Sequence, residues 1–262
     1  MNCKDVFVDR NEKPLDKLAE GYSNTSIFRT VAFIGDSLSS GEFETVDPEG
    51  NKGYHDLYDY SWGQFIARKN GIKAYNFSKG GMTAHCYFDS FAEENGFWDK
   101  EKACKAYVIA LGVNDLYGEK GEIGTVSDID TEDYRNNKNT FIGYYGKIIA
   151  RYKEISPDAK FFFVAFPKFE GEDKQKVGRE MLKQLELLTG VFDNSYVINL
   201  FDYCVACDEA FKRQYYLNGH MSPQGYVFAA KVIDSYIDYI VRHNPEDFKN
   251  VGFIGTDIKY KW

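Results

Sequence analysis

The run Thr30-Val31-Ala32-Phe33-Ile34, followed at once by Gly35-Asp36-Ser37-Leu38-Ser39-Ser40-Gly41, decides how this chain is read. Thr30 and the four apolar residues after it, rich in β-branched and aromatic side chains, show no polar alternation, as expected of a strand covered on both faces. The glycine and the Asp-Ser pair then mark a tight exit into a helix. A serine on such a turn is exposed, with local backbone N–H groups around its hydroxyl, which is what a serine nucleophile needs. A plainer role for Asp36 or Ser37 is to cap the helix that follows.

The same punctuation recurs outward from this stretch. Further strands are predicted at Lys73–Phe77, Ala106–Leu111, Lys160–Phe166 and Tyr196–Phe201, each short and apolar. Helices are predicted at Trp62–Lys69, about Tyr134–Glu154, Lys174–Thr189 and Ser222 to about Arg242. The last begins Ser-Pro, a cap followed by proline at the first helical position, and repeats Val227, Ala230, Ile233 and Ile237 at helical spacing. Alternating strands and helices with right-handed crossovers give an α/β fold, a three-layer α/β/α sandwich around a mostly parallel five-stranded sheet, flavodoxin-like in plan. Residues 1–29 read as a polar N-terminal extension. Residues 30–262 read as a single domain that includes an acidic, aromatic insertion at 42–60 and a C-terminal tail.

Composition narrows the classes of function. The 262 residues are 44% hydrophobic and 27% charged, enough for a large core without staples. A net charge of −8 argues against a nucleic-acid partner, because phosphate binding needs clustered Lys and Arg. No apolar run approaches the roughly 18–20 residues of a membrane span. The cysteines (Cys3, Cys86, Cys104, Cys204, Cys207) are odd in number and irregularly spaced, which suits reduced thiols. Cys204 and Cys207 have redox or metal spacing, but no second Cys pair or Cys/His cluster follows, so two packed thiols are expected. The opening residues contain no apolar stretch resembling a signal peptide. A cytoplasmic setting is therefore expected, unless a leader has been cleaved away.

In open parallel sheets ligands sit beyond the carboxyl ends of the strands, so the residues just after each strand carry the chemistry. After the second strand comes Ser78-Lys79-Gly80-Gly81, where paired glycines let a backbone N–H approach a ligand closely, or simply turn the chain. After the third comes Gly112-Val113-Asn114-Asp115, whose Asn offers an amide donor to the same mouth, or an Asx turn. Ahead of the last helix stands Asn218-Gly219-His220-Met221-Ser222. Of the four histidines, His243 falls at a helix end, His55 in the acidic insertion and His85 past the glycine turn, so His220 is the best candidate base.

Taken together and in this order, these blocks resemble the SGNH, or GDSL-type, hydrolase family over roughly residues 30–242, with Gly35-Asp36-Ser37-Leu38 and Gly112-x-Asn114-Asp115 the closest matches. The resemblance implies Ser37 as nucleophile and His220 as general base. It implies an oxyanion hole from the N–H groups of Ser37 and Gly81 and the Asn114 side chain, with Gly80 as an alternative to Gly81. One position departs. The family usually carries an Asp three residues before its His, and here that residue is Leu217. A backbone carbonyl near Leu217 is the favoured substitute, giving a Ser–His dyad; Asn218, Asp202 or Asp208 are alternatives, as is a degenerate site.

The implied reaction is ester hydrolysis through an acyl-enzyme on Ser37, with no metal or organic cofactor required. Because no long apolar groove is readable, the expected substrate is a short-acyl ester, an O-acetyl group on a carbohydrate or other small molecule. The aromatics Phe43, Tyr54, Tyr58, Tyr60 and Trp62 suit sugar stacking but suit packing better, and Asp47, Glu49, Asp56 and Asp59 read as a solvated face. A catalytically degenerate ligand-binding protein on the same fold, and an acyltransferase using the same acyl-enzyme, are the alternatives. A nucleotide or flavin binder is disfavoured because no G-x-G-x-x-G or Walker pattern follows the first strand.

Overall fold

A computed structural model describes residues 8–258 of the chain; Cys3 lies outside them. In chain order the principal elements are β1 (Thr30–Gly35), α1 (Ser37–Ser40), β2 (Glu42–Val46), β3 (Lys52–Asp56), α2 (Trp62–Asn70), β4 (Lys73–Ser78) and β5 (Ala106–Ala110). There follow α3 (Phe141–Ile155), β6 (Lys160–Ala165), α4 (Glu172–Leu188), β7 (Ser195–Asn199), α5 (Glu209–Tyr215), β8 (Tyr216–Leu217), β9 (His220–Met221) and α6 (Pro223–His243). The main sheet has the order β4-β1-β5-β6-β7, all pairs parallel. The α/β/α sandwich and its five-stranded parallel sheet are as the sequence predicts.

Strand alternation divides the core into two layers. Ala32, Ile34, Tyr107, Ile109, Phe161 and Phe163 face α3 and α4, where Tyr145, Ile149, Tyr152 and Leu185 are fully buried. Val31, Phe33, Val108, Phe162 and Val164 face α2 and α6, against Trp62, Ile66, Ile233 and Ile237. Burying a side chain of this size contributes about 1.5–3 kcal/mol, so both faces of every central strand hold the sheet in place.

Element boundaries shift where a polar side chain intervenes. The helix expected from Tyr134 starts at Phe141, because Thr140 caps it by accepting the Gly143 N–H at 3.1 Å. The strand expected at Tyr196–Phe201 ends at Asn199, whose side chain accepts the Asp202 N–H at 2.9 Å and turns the chain. Ser222 caps α6 as predicted, and Ala230, Ile233 and Ile237 are buried, but Val227 is 42% exposed. The segment before β1 packs on α6. There Ser23 Oγ donates to Asp234 Oδ1 at 2.7 Å, and Arg242 grips Glu12 through both terminal nitrogens at 2.7 and 2.9 Å.

Residues 42–60, the acidic insertion, are built around the antiparallel hairpin β2–β3. It stands beside the short hairpin β8–β9, which turns through Asn218 in the left-handed region (φ 54°). No described helix is long and apolar enough to cross a membrane.

Candidate active site

Three adjacent strands, β4, β1 and β5, end level with one another: Gly35 pairs with Ser78 on one side and Ala110 on the other. The segments that follow them therefore converge on one mouth. Asp36 caps α1 by accepting the Leu38 N–H at 3.0 Å, which makes Ser37 the first residue of a helical turn. The capping and nucleophile readings of this turn are thus compatible. Among the described residues Ser37 Oγ has no partner; the Ser37 carbonyl accepts from Ser40 Oγ at 3.2 Å and from the Tyr226 hydroxyl at 3.4 Å.

Gly81 sits at φ +74°, a conformation that favours glycine, and Gly80 lies so close to Glu42 that an added Cβ would fall 1.9 Å from Glu42 Oε2. Asn114 donates from Nδ2 to the Met82 carbonyl at 3.0 Å, fastening the segment after β5 to the glycine turn. Asp115 adds a second tie by accepting the Ala84 N–H at 2.8 Å. The second amide hydrogen of Asn114 is left for another acceptor.

His220 opens β9, with its side chain 16% exposed. Its Nδ1 lies 3.2 Å from Glu44 Oε2, and its Nε2 lies 2.9 Å from Glu42 Oε1. Glu44 is buried; its Oε2 also accepts the Gly219 N–H at 2.9 Å, and Lys52 Nζ lies 2.6 Å from Oε1. The Lys52 hydrogen bond above all holds the Glu44 carboxyl below its usual range, with the Gly219 and His220 bonds adding to it. Burial pushes Glu42 the other way, above that range. The Tyr226 hydroxyl, wholly buried, donates to the Glu42 carbonyl at 2.7 Å and so links the start of β2 to the Ser37 turn.

The expected substitutes for the missing Asp lie elsewhere. Asp202 is paired with Arg179, Asp208 caps α5, and Leu217 is 46% exposed on β8. The partner at Nδ1 is a carboxylate from the insertion, not a backbone carbonyl. Within that insertion, the acids read as solvated include Asp56, which accepts a hydrogen bond from Ser40 Oγ. The other histidines engage locally: His55 with Thr45, His85 with Thr83, and His243 with the Tyr239 carbonyl. Cys204 and Cys207 are free, and burial pushes the Cys204 thiol up to about 11, as packed thiols behave.

Residues 33–228 match the sequence profile of the GDSL-like lipase/acylhydrolase family. The chain belongs to this family. It is accordingly a carboxylic ester hydrolase of the GDSL type, an esterase or acylhydrolase in the broad sense. Solved structures of similar fold include a family two carbohydrate esterase from Clostridium thermocellum in complex with cellohexaose, at 15% identity and TM-score 0.53, the match covering 88% of this chain and 67% of that one. A family 3 carbohydrate esterase from the same organism is similar at 13% identity and TM-score 0.52, covering 82% and 97%. No curated protein matches the chain.

Sequence reasoning missed Glu42, Glu44 and Tyr226. A usable signal was present in Glu42-Phe43-Glu44: on a strand, residues two apart share a face, so these carboxylates face the same way just after the serine turn.

Proposed function

We propose that the chain is a serine esterase in which Ser37 is the nucleophile, His220 the general base and Glu44 the acid that orients His220. The observation that supports this most directly is the Glu44 carboxylate at His220 Nδ1. It supplies what Leu217 lacks, and with it the motive for reading the site as degenerate falls away. Glu44 fixes the proton on Nδ1 and leaves Nε2 to take the proton of Ser37 Oγ. In the resting geometry Nε2 contacts Glu42, so the ring exchanges that contact for Ser37 Oγ when substrate binds.

Oγ attacks the ester carbonyl as its proton passes to Nε2. The N–H groups of Ser37 and Gly81 and the free amide hydrogen of Asn114 hold the oxyanion. The carbon–oxygen bond to the alcohol then breaks, and the alcohol leaves with the proton from Nε2. Water repeats the attack on the acyl-serine and releases the acid. The alcohol we read as a carbohydrate hydroxyl: Tyr54 on β3 is 54% exposed and sets its ring edge-on to His220, 5.7 Å between centroids, on the side from which the alcohol departs.

Hydrolysis of p-nitrophenyl acetate by the wild type and Ser37→Ala tests the assignment. Turnover is expected in the wild type and lost in the variant; a folded Ser37→Ala protein with unchanged turnover overturns it.

A further inference from the structure

Resting on the assignment of Ser37 and His220, we propose that Glu42 receives a positive charge on the substrate. The preferred ester is then one whose alcohol bears an ammonium group, as in an amino alcohol or an amino sugar. Glu42 lies directly opposite Asp56 across the β2–β3 hairpin, and Glu44 directly opposite Tyr54. Opposed residues share a face, as do residues two apart on one strand, so one face of the hairpin carries three carboxylates and a ring. His220 lies against that face, beside Glu42, Glu44 and Tyr54. Like charges directly opposite destabilise a ribbon, and here the pair is not compensated. Lys52 answers Glu44 at 2.6 Å, whereas among the described residues no Lys or Arg comes within ion-pair distance of Glu42 or Asp56. The buried Glu42 carboxylate has one polar partner among those residues, His220 Nε2 at 2.9 Å.

The reaction takes that partner away. When Nε2 turns to Ser37 Oγ, Glu42 is left with a charge that no other side chain satisfies. Burial, with Asp56 and Glu44 nearby, already disfavours its ionised form. A substrate ammonium group removes the conflict by donating to Glu42 in place of Nε2. The proton held between Glu42 and Nε2 passes to water, and the Nε2 lone pair is free for Ser37. The position fits a group on the alcohol, because Glu42 Oε1 contacts the nitrogen that returns the proton to the departing oxygen. Glu42 Oε2 also rests on the glycine turn, 1.9 Å from where a Cβ on Gly80 would stand. A cation there offsets the repulsion between Glu42 and the oxyanion, and the exposed ring of Tyr54 offers it a π face. A hydrogen bond to a charged group is worth roughly ten- to a hundredfold.

The test compares two acetates of the same shape: 2-(dimethylamino)ethyl acetate, protonated at pH 7, and the neutral 3-methylbutyl acetate. For the wild type, kcat/KM is expected to be at least about tenfold higher on the charged ester. Glu42→Gln is expected to bring the two rates within about twofold of each other. The ratio is internal to one preparation, so a poorly folded variant lowers both rates and leaves it standing. The same comparison of 6-O-acetylglucosamine with 6-O-acetylglucose identifies the source of the charge. Preference for the first assigns an amino sugar, and preference confined to the small ester assigns an amino alcohol. Equal rates within both pairs, or a preference that Glu42→Gln leaves intact, overturn the inference; p-nitrophenyl acetate turnover lost in Ser37→Ala would still leave the nucleophile assigned. If Ser37→Ala retains turnover, or no ester is cleaved, calorimetric titration with the uncleaved amide N-[2-(dimethylamino)ethyl]acetamide reports the site independently. Binding weakened at least about tenfold in Glu42→Gln supports it, and equal binding or none overturns it.

Discussion

Glu44 and His220 are 176 residues apart in the chain, yet Oε2 of one lies 3.2 Å from Nδ1 of the other. The acid thus arrives from the serine's side of the sequence, on the first strand after the α1 turn, and not from the loop that carries the histidine. Glu44→Gln is expected to lower kcat by about a hundredfold or more, with up to about 10⁴ on record for an equivalent change, while KM stays close to wild type. Steady-state kinetics on p-nitrophenyl acetate check this. Leu217→Asp, at an exposed position, is expected to leave kcat within about twofold. A KM effect without a kcat effect in Glu44→Gln would remove Glu44 from the positioning role.

Asn114 ties the segment after β5 to the glycine turn and still has one amide hydrogen to offer. Asn114→Ala is expected to fold, at a cost of about 1 kcal/mol for the lost bond to Met82. Its kcat is expected to fall about a hundredfold, in the lower part of the range for an oxyanion donor. A denaturation midpoint and a kcat measured on the same preparation separate the two effects.

Glu42 holds His220 Nε2, the nitrogen that serves Ser37 in the proposed mechanism, and on that reading it competes with Ser37 for the ring. Glu42→Ala is expected to raise kcat/KM for p-nitrophenyl acetate several-fold. A loss beyond tenfold, in a variant whose circular dichroism matches wild type, would instead make Glu42 a participant in turnover.

Burial, reinforced by the nearby charges of Asp115 and Glu42, pushes the Asp36 carboxyl from 3.8 up to about 7. A raised carboxyl pKa means that the folded state binds this proton more tightly than the unfolded chain does. Its stabilising contribution is complete below pH 3.8 and is lost as the pH rises through about 7. The interval corresponds to about 4 kcal/mol. Relative to Asp36→Asn, which keeps an acceptor for the Leu38 N–H, the wild type is expected to lose stability between pH 4 and pH 8. Urea midpoints for both proteins across that range give the difference directly, and parallel curves would mean that Asp36 does not titrate there.

What the sequence revealed and what it concealed follow from the range of the interactions. The strands announced themselves because each is covered on both faces, and the serine, glycine and asparagine blocks followed because each lies directly beyond a strand end. Glu44 was hidden because its partner lies across the chain, and because a Glu-Phe-Glu triplet in an acidic segment looks like solvated surface until the neighbouring hairpin covers it. Val227, placed in the core by its spacing, is 42% exposed, because the first turns of α6 turn Gly225, Tyr226 and Ala230 inward instead.

The hairpin β2–β3 bears on how the protein meets heat. A two-stranded ribbon is marginal by itself, and four of the five residues of β3 are exposed. Its grip on the site runs through Glu44, steadied by a lysine whose side chain is 57% exposed. The sheet, by contrast, is anchored by two full layers of core. Warming should therefore loosen the ribbon first, so that turnover fades, reversibly, at temperatures where the domain as a whole is still folded.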